Sequence, residues 1–588
     1  MRNPFFLLGL LAAGVAMAEP DTFGLGTGRD GALRVDQPNT VINHAGQLTA
    51  TAAAGTKALT ITNAAAFTAG ELVLVHQSMG LLPAPASGNQ SSINLDSSPV
   101  GRFEYARVEL VGNGSLQLTA PLQYSYAASV SQVVNVPEYT DVQVAPAASL
   151  KAPPWNGSSG GILALLASGM IVNNGIVSAD GAGFRGGAFI NHQGGEGCTS
   201  LDEAAGVGAS YKGEGLVAGR FGTASGRGNL ATGGGGGNCH SAGGGGGGHL
   251  GLGGRGGNTP GRDTQPDQVG GLGGAPVVYL PYQHLLFGGG GGGGGGHVDT
   301  GTPGAPGGGL IIIRADDVAG TGRFSATGAS ADFVTSQGDD GAGGGGAGGA
   351  ISLRVARALR CGVANATGGN GGDTHHASSR SGPGGGGGGG AVFLQAETLA
   401  CPVSVVAGQP GQSTSAGGTY GAGPSVGDSG PSYGLEQMVE APFRVLATPV
   451  VTQPPNGATG VAPRPRIEGT AELGVIVQLY LDGAPYVQLV PDNTGAFSYN
   501  VPTDLAGGAH ELWASAEELG TYSPLSAPNS FDVVTPVGDG GVPDGGSSDG
   551  GASHAFEVGC GCGASPGAGF GIVALLLSLG AARLRLWE

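Results

Sequence analysis

The chain has 588 residues, enough for several domains, with a formal charge of −18 and 125 glycines. Only 11% of its residues are charged and 6% aromatic, so its cores must be built from small and β-branched side chains. Lysine occurs only at Lys57, Lys151 and Lys212, and no basic stripe is present, which argues against a nucleic-acid partner because phosphate binding needs clustered cations.

The chain opens with a targeting signal. Arg2 precedes the apolar run Phe5 to Val15, and Ala16-Met17-Ala18 offers a small-x-small cleavage site between Ala18 and Glu19. This pattern predicts a secretory signal peptide over 1–18. Export to an oxidising compartment makes the six cysteines candidates for disulfides. By position they fall into Cys198 with Cys239, Cys361 with Cys401, and Cys560 with Cys562.

Residues 19–155 alternate in the manner of short strands separated by turns, with a hairpin signal at Gly112-Asn113-Gly114. Within them, Leu81 to Val100 reads as a polar loop. We expect a β domain that caps the glycine-rich region C-terminal to it, with Trp155 covering the first repeat. Caps are needed because an open stack exposes strand edges.

Residues 156–444 hold a unit repeated four times, from Gly160, Gly308, Gly348 and Gly389: a Gly-Gly step, an apolar strand, an alanine, a spacer and a second strand. Ala167, Ala315, Ala356 and Ala396 end the first strand, and Ala179, Ala326, Ala366 and Ala407 close the second. Such self-similarity predicts a parallel β-solenoid-like stack in which each unit covers its neighbour. Cys361 and Cys401 each stand two residues past a shared leucine, Leu359 and Leu399, so stacking brings the two sulfurs together. Glycine runs over 233–237, 243–248, 288–296, 343–346 and 384–390 link the units. A run without side chains suits an extended helix of three residues per turn and about 3.1 Å rise. These runs resemble the polyglycine-helix bundles of some phage adhesin tips and of one receptor-kinase family. An insertion from Phe184 to Phe287 separates the first two units and is the leading place for ligand recognition.

Composition changes near Val445, and 445–536 reads as about seven short strands turning at Leu481-Asp482-Gly483 and Asn493-Thr494-Gly495, with Trp513 expected in the core. The order GTAELG, VQLYLDG, DNTGAFSYNVP, LAGGAHELWASA resembles bacterial immunoglobulin-like modules. Residues 537–563 form a Gly/Asp/Ser linker ending in Gly559-Cys-Gly-Cys-Gly563. The tail, 564–588, carries an apolar run from Ala564 to Ala582 followed by Arg583 and Arg585, which predicts a short membrane span with its arginines inside. Cysteine pair, span and arginines resemble the MYXO-CTERM sorting tail of myxobacterial surface proteins. That likeness implies processing near Cys560 or Cys562 and anchoring at the cell surface or outer membrane.

No residue is assigned to catalysis, cofactor or metal. Gly-x-Gly-x-x-Gly matches are a by-product of glycine density, and the Gly-x-Ser-x-Gly matches at Ser159 and Ser548 follow no predicted strand. Cys239-His240 with His249, and His375-His376, lack structural-zinc spacing, and the Asp482 and Asp492 turns lack calcium-loop spacing. Asp316-Asp317, read as lying at a turn, and Asp339-Asp340 are the paired carboxylates that a polysaccharide-acting enzyme would need. The stretches FGLGTGRDGALRV, WNGSSGGILALLASG and GAGFRGG, with the tail, resemble myxobacterial surface proteins of the adventurous gliding motility class. The resemblance implies a non-enzymatic adhesive or structural role, with a surface, a polysaccharide or a protein as partner. The alternatives are a β-helix enzyme acting on extracellular polysaccharide, which needs a carboxylate cluster on one face, and an ice- or surface-binding glycine-helix protein.

Overall fold

The computed structural model describes residues 21–191, 200–204, 210–238, 241–258, 270–296, 300–334, 340–375, 381–415, 418–421 and 434–534. Apart from one 3-10 turn at Ala64–Ala66, every regular element among them is β. The signal segment, the linker and the apolar tail lie outside them. Among the described residues no helix is long and apolar enough to cross a membrane.

The four repeats stack as parallel strands in one sheet. Ile162–Asn173, Leu310–Ala319, Ala350–Val355 and Ala391–Ala396 pair in that order, with Ile162 opposite Leu310, Leu310 opposite Ala350 and Ala350 opposite Ala391. The stack reaches past the repeats at both ends, through Leu33–Val35 and Val142–Val144 on one side and Leu435–Glu440 on the other. A second parallel sheet runs through Ser149–Lys151, Ile176–Ser178, Arg323–Ser325, Val363–Asn365 and Val403–Ser404.

Period-two alternation explains the near-continuous apolar runs, because both faces of the first sheet are covered. Leu163, Ile311, Ile351 and Val392 stack in one row, and Leu165, Ile313, Leu353 and Leu394 in the next, inside the core shared with the second sheet. Ile162, Ala164, Leu166, Leu310 and Ile312 point the other way, into a core with Trp155, Phe184 and Phe287. Two alanine assignments need correction. Val355, not Ala356, is opposite Ala315, because the third copy carries one extra residue before its alanine and parity decides which side chain faces inward. Likewise Val405, not Ala407, follows the rung Asn365–Ser404 and joins Ala152, Ala179, Ala326 and Ala366 in the core.

The glycine runs form a bundle. Along the run 289–294, Gly289, Gly290 and Gly291 donate to the carbonyls of Gly248, Glu214 and Ala305. Gly292, Gly293 and Gly294 then donate to Gly245, Tyr211 and Thr302, three residues back along the same three neighbours. Its carbonyls accept from three further segments, at Gly234 and Gly237, at Gly187, and at Gly344 and Ala347. A period of three is that of an extended polyproline-II-type helix. The spacing leaves no room for side chains: a Cβ on Gly292 would stand 2.0 Å from the Gly235 oxygen, and one on Gly244 2.0 Å from that of Gly292.

The N-terminal region contributes a six-stranded antiparallel sheet whose centre is Leu72–Gln77, between Ser131–Asn135 and Phe103–Gly112. The segment read as a polar loop is held against the insertion: Ile93–Asn94 pairs with Val277–Val278, and Leu81 N–H donates to the Leu216 carbonyl. His76 is fully buried, and its Nε2 donates to the Leu285 carbonyl at 2.8 Å. The C-terminal module has a three-stranded antiparallel sheet and a larger sheet around one core with Ile467, Val477, Leu479, Phe497 and Phe531. Trp513 is not in that core. It stands between Leu512 and Ala514, which face inward, so alternation turns it outward.

Candidate functional site

The predicted site residues divide sharply. Cys361 and Cys401 are disulfide-bonded, with Cα atoms 4.7 Å apart, and Leu359 is opposite Leu399 on the strands that lead to them. Cys198, Cys239, Cys560, Cys562, Ala18 and Glu19 lie outside the described residues, as do His240, His376, Asp339 and Ser548. Ser159 sits in a turn whose amide donates to Asn156 Oδ1 at 2.9 Å.

Several of the candidate metal and acid groups are engaged by partners of their own. His249 is buried, its Nδ1 2.7 Å from the Gly348 carbonyl and its Nε2 2.7 Å from the Tyr279 hydroxyl. Asp316 and Asp317 do not lie at a turn. They belong to the ten-residue strand Leu310–Ala319, and Asp316 pairs with Arg357 of the next repeat. Asp340 is buried and accepts from the Thr300 amide at 2.7 Å and hydroxyl at 3.1 Å. Asp492 Oδ1 accepts from the Thr494 hydroxyl and from the Thr494 and Ala496 amides of its own turn, which lowers its pKa. Among the described residues no three His, Cys, Asp or Glu side chains converge as a metal site would require.

A cleft lies apart from all of these groups. It has a volume of about 230 Å³ and opens where three parts of the chain meet. The N-terminal sheet supplies Arg102, Glu104 and Tyr105, the insertion Tyr282 and His284, and the C-terminal module Tyr522. Asp21 and Tyr124 also line it. Arg102 and Glu104 fall on one face at the start of the central strand Phe103–Gly112 and Tyr105 on the other, and the bridge between Arg102 and His284 fastens the insertion beside it.

The electrostatics of the wall are uneven. Glu104 is buried, and its two carboxyl oxygens accept from the amides of Gln123 (2.8 Å) and Tyr124 (3.1 Å). Burial outweighs those bonds and, helped by the Asp21 charge, pushes its carboxyl up to about 7. Asp21 is paired with the buried Arg314, whose guanidinium lies 4.5 Å from the centre of the Tyr105 ring. Arg102 lies 4.8 Å over the Tyr124 ring and has no carboxylate partner among the described residues. His284 Nε2 is 3.1 Å from the Ser98 carbonyl, which fixes the proton there and makes Nδ1 an acceptor. That Nδ1 and the Tyr105 hydroxyl are buried and have no hydrogen-bond partner among the described residues. Burial and the nearby positive Arg102 both hold the His284 imidazole below its ordinary pKa, so it is neutral at pH 7.

Sequence reasoning named none of these residues as a site. The insertion was the expected recognition element, and it supplies Tyr282 and His284. The rest come from four other segments, and no motif links them.

No family model matches the sequence, and no curated protein matches it. Among solved structures, the fibronectin(III)-like modules of Clostridium thermocellum CbhA align with 15% of this chain and 93% of their own, at 17% identity and a TM-score of 0.12. The tailspike of Acinetobacter baumannii bacteriophage AP22, solved with A. baumannii capsular saccharide, aligns over 85% of this chain and 87% of its own, at 9% identity and a TM-score of 0.14. The tailspike of Pseudomonas phage LKA1 covers 77% and 76%, at 10% identity and a TM-score of 0.13. At such TM-scores these likenesses carry no argument about this chain.

Proposed function

We propose that the protein is a cell-surface-anchored, non-enzymatic adhesive or structural protein that supports attachment or gliding on surfaces. The observation that carries this reading is the disulfide between adjacent repeats, because such bonds form and persist in oxidising compartments outside the cytosol. It supports the secretory reading of the first 18 residues and gives an exported stack a covalent brace. The engagement of Asp316 with Arg357 and of Asp340 with Thr300 favours a scaffold over a polysaccharide-cleaving enzyme. In this reading the C-terminal two-sheet module is immunoglobulin-like and acts as a spacer or adhesive unit. The tail is a transmembrane sorting segment, processed near Cys560 or Cys562. Two measurements test the proposal. Replacing Cys560 and Cys562 by Ser should abolish labelling of intact cells by an impermeant reagent while leaving export intact. Deleting the gene should reduce attachment or movement on a surface. Equal surface labelling of wild type and double variant rejects the sorting tail, and unchanged attachment and movement reject the role.

A further inference from the structure

The three-way cleft has the properties of a binding site for one class of molecule. Its volume of about 230 Å³ exceeds the ~150 Å³ of a cavity that admits benzene, enough for one six-membered ring with substituents. Its wall presents the half-buried rings of Tyr282 and Tyr522, which suit a flat face of C–H groups. It also contains two polar atoms with no hydrogen-bond partner among the described residues, the Tyr105 hydroxyl and the His284 Nδ1 acceptor. Buried polar atoms without partners are costly, about 1–3 kcal/mol each, and a ligand's hydroxyls relieve that cost. Both atoms are covered, so a ligand meets them only if their side chains move.

Charge narrows the class. Asp21 is offset by Arg314, Glu104 is about half protonated at pH 7, and Arg102 has no carboxylate partner among the described residues. Among the described residues Arg102 is the one Arg or Lys on the wall, in a chain whose formal charge is −18. A planar guanidinium with free N–H groups pairs best with a carboxylate, which it can grip with two parallel hydrogen bonds. A ring with C–H faces, several hydroxyls and one carboxylate is a uronic acid.

We propose that the cleft binds an acidic sugar residue, a pyranose carrying a carboxylate, with that carboxylate on Arg102 and the ring against Tyr282 and Tyr522. The inference rests on the adhesive reading and deepens it, since an exported protein meets such sugars in extracellular polysaccharide. Binding is measured on purified protein and display on intact cells, so failure of one is distinguishable from failure of the other.

The test titrates the full exported protein with trimers of galacturonate, glucuronate and mannuronate, and with a galactose trimer as neutral control, by calorimetry. At least one uronate should bind more tightly than the neutral trimer. Arg102→Gln should weaken that binding by about ten-fold or more, the usual worth of a charge-assisted pair. Arg102→Lys should recover part of the loss, and both variants should stay folded with a thermal midpoint close to wild type, losing only the stacking on Tyr124. Tyr522→Ala should weaken acidic and neutral trimers alike. The proposal is overturned if no uronate binds up to roughly 10 mM, if acidic and neutral trimers bind equally, or if Arg102→Gln binds as wild type does.

Discussion

Asp21 and Arg314 form an ion pair across 293 residues of sequence, with Nη1 and Oδ1 2.9 Å apart. Arg314 stands directly opposite Arg354 on the neighbouring parallel strand, and both guanidinium groups are buried against the ring of Phe443, at 5.0 and 4.8 Å. Arg354 donates to Gln395 Oε1 at 2.9 Å, and Gln395 occupies the same register position one rung on. Stacking thus imposes two adjacent buried cations, and the N-terminal residue Asp21 supplies a counter-charge. The burial of Arg354 beside Arg314 depresses its pKa.

Asp21→Asn should therefore destabilise the protein, by about 3 kcal/mol, the scale for breaking a buried pair from one side. The urea midpoint measures it. A midpoint equal to wild type would mean that the aromatic faces alone accommodate both arginines.

Glu104 predicts a pH dependence with a definite sign. Its folded pKa of about 7 exceeds the unfolded value of 4.5, so the native state holds a proton that the unfolded chain releases. Its contribution is fully favourable below pH 4.5 and is lost as pH rises from 4.5 to 7. The rise from 4.5 to about 7 corresponds to roughly 3 kcal/mol. Glu104→Gln, which has no proton to lose, should flatten stability across that window. The check is the urea midpoint of wild type and variant from pH 4 to pH 8. A gap between the two proteins that stays constant with pH would refute the assignment.

The stack was legible because a parallel sheet covered on both faces writes its register into the sequence as repeated apolar runs. Leu359 and Leu399 are opposite each other for that reason, and the cysteines beyond them meet. Letter-matching failed where parity mattered: Ala356 has the repeat's residue type but the wrong face, and Trp513 has the hydrophobicity of a core residue but lies one step from the inward positions. Of the cleft, only the insertion's share, Tyr282 and His284, lay where recognition was expected. Arg102, His284 and Tyr522 meet only because the insertion docks on the N-terminal sheet and the C-terminal module closes over both. Single-residue contributions from distant segments leave no spacing to read.

Removing the disulfide tests the brace. Cys361 and Cys401 are 40 residues apart in sequence, and closing a loop of that length contributes about 4 kcal/mol by chain entropy. Cys361→Ser with Cys401→Ser should lower the urea midpoint, and wild type in reductant should fall to match it. The single replacements should cost as much as the double. A double variant as stable as wild type would show that the rung ladder alone already restrains this loop.

The glycine bundle makes the strongest claim, because it predicts intolerance to a single methyl group. At Gly292 a Cβ would meet the Gly235 oxygen at 2.0 Å and its carbon at 2.4 Å, both backbone atoms that cannot rotate away. Relief requires moving a segment that is itself hydrogen-bonded to further runs, so the strain spreads through the bundle instead of being absorbed locally. Gly292→Ala should cost several kcal/mol, beyond the 1–3 kcal/mol typical of overpacking in a side-chain core, and Gly292→Val should prevent folding of the bundle. Gly219 is the control: it has a positive φ of +72° but open space where its Cβ would be, so Gly219→Ala pays only backbone strain of about 1–2 kcal/mol. Comparing the thermal midpoints and protease resistance of the two alanine variants separates contact from conformation. If Gly292→Ala melts at or above Gly219→Ala, the run has the slack of a linker and the close-packed bundle is wrong.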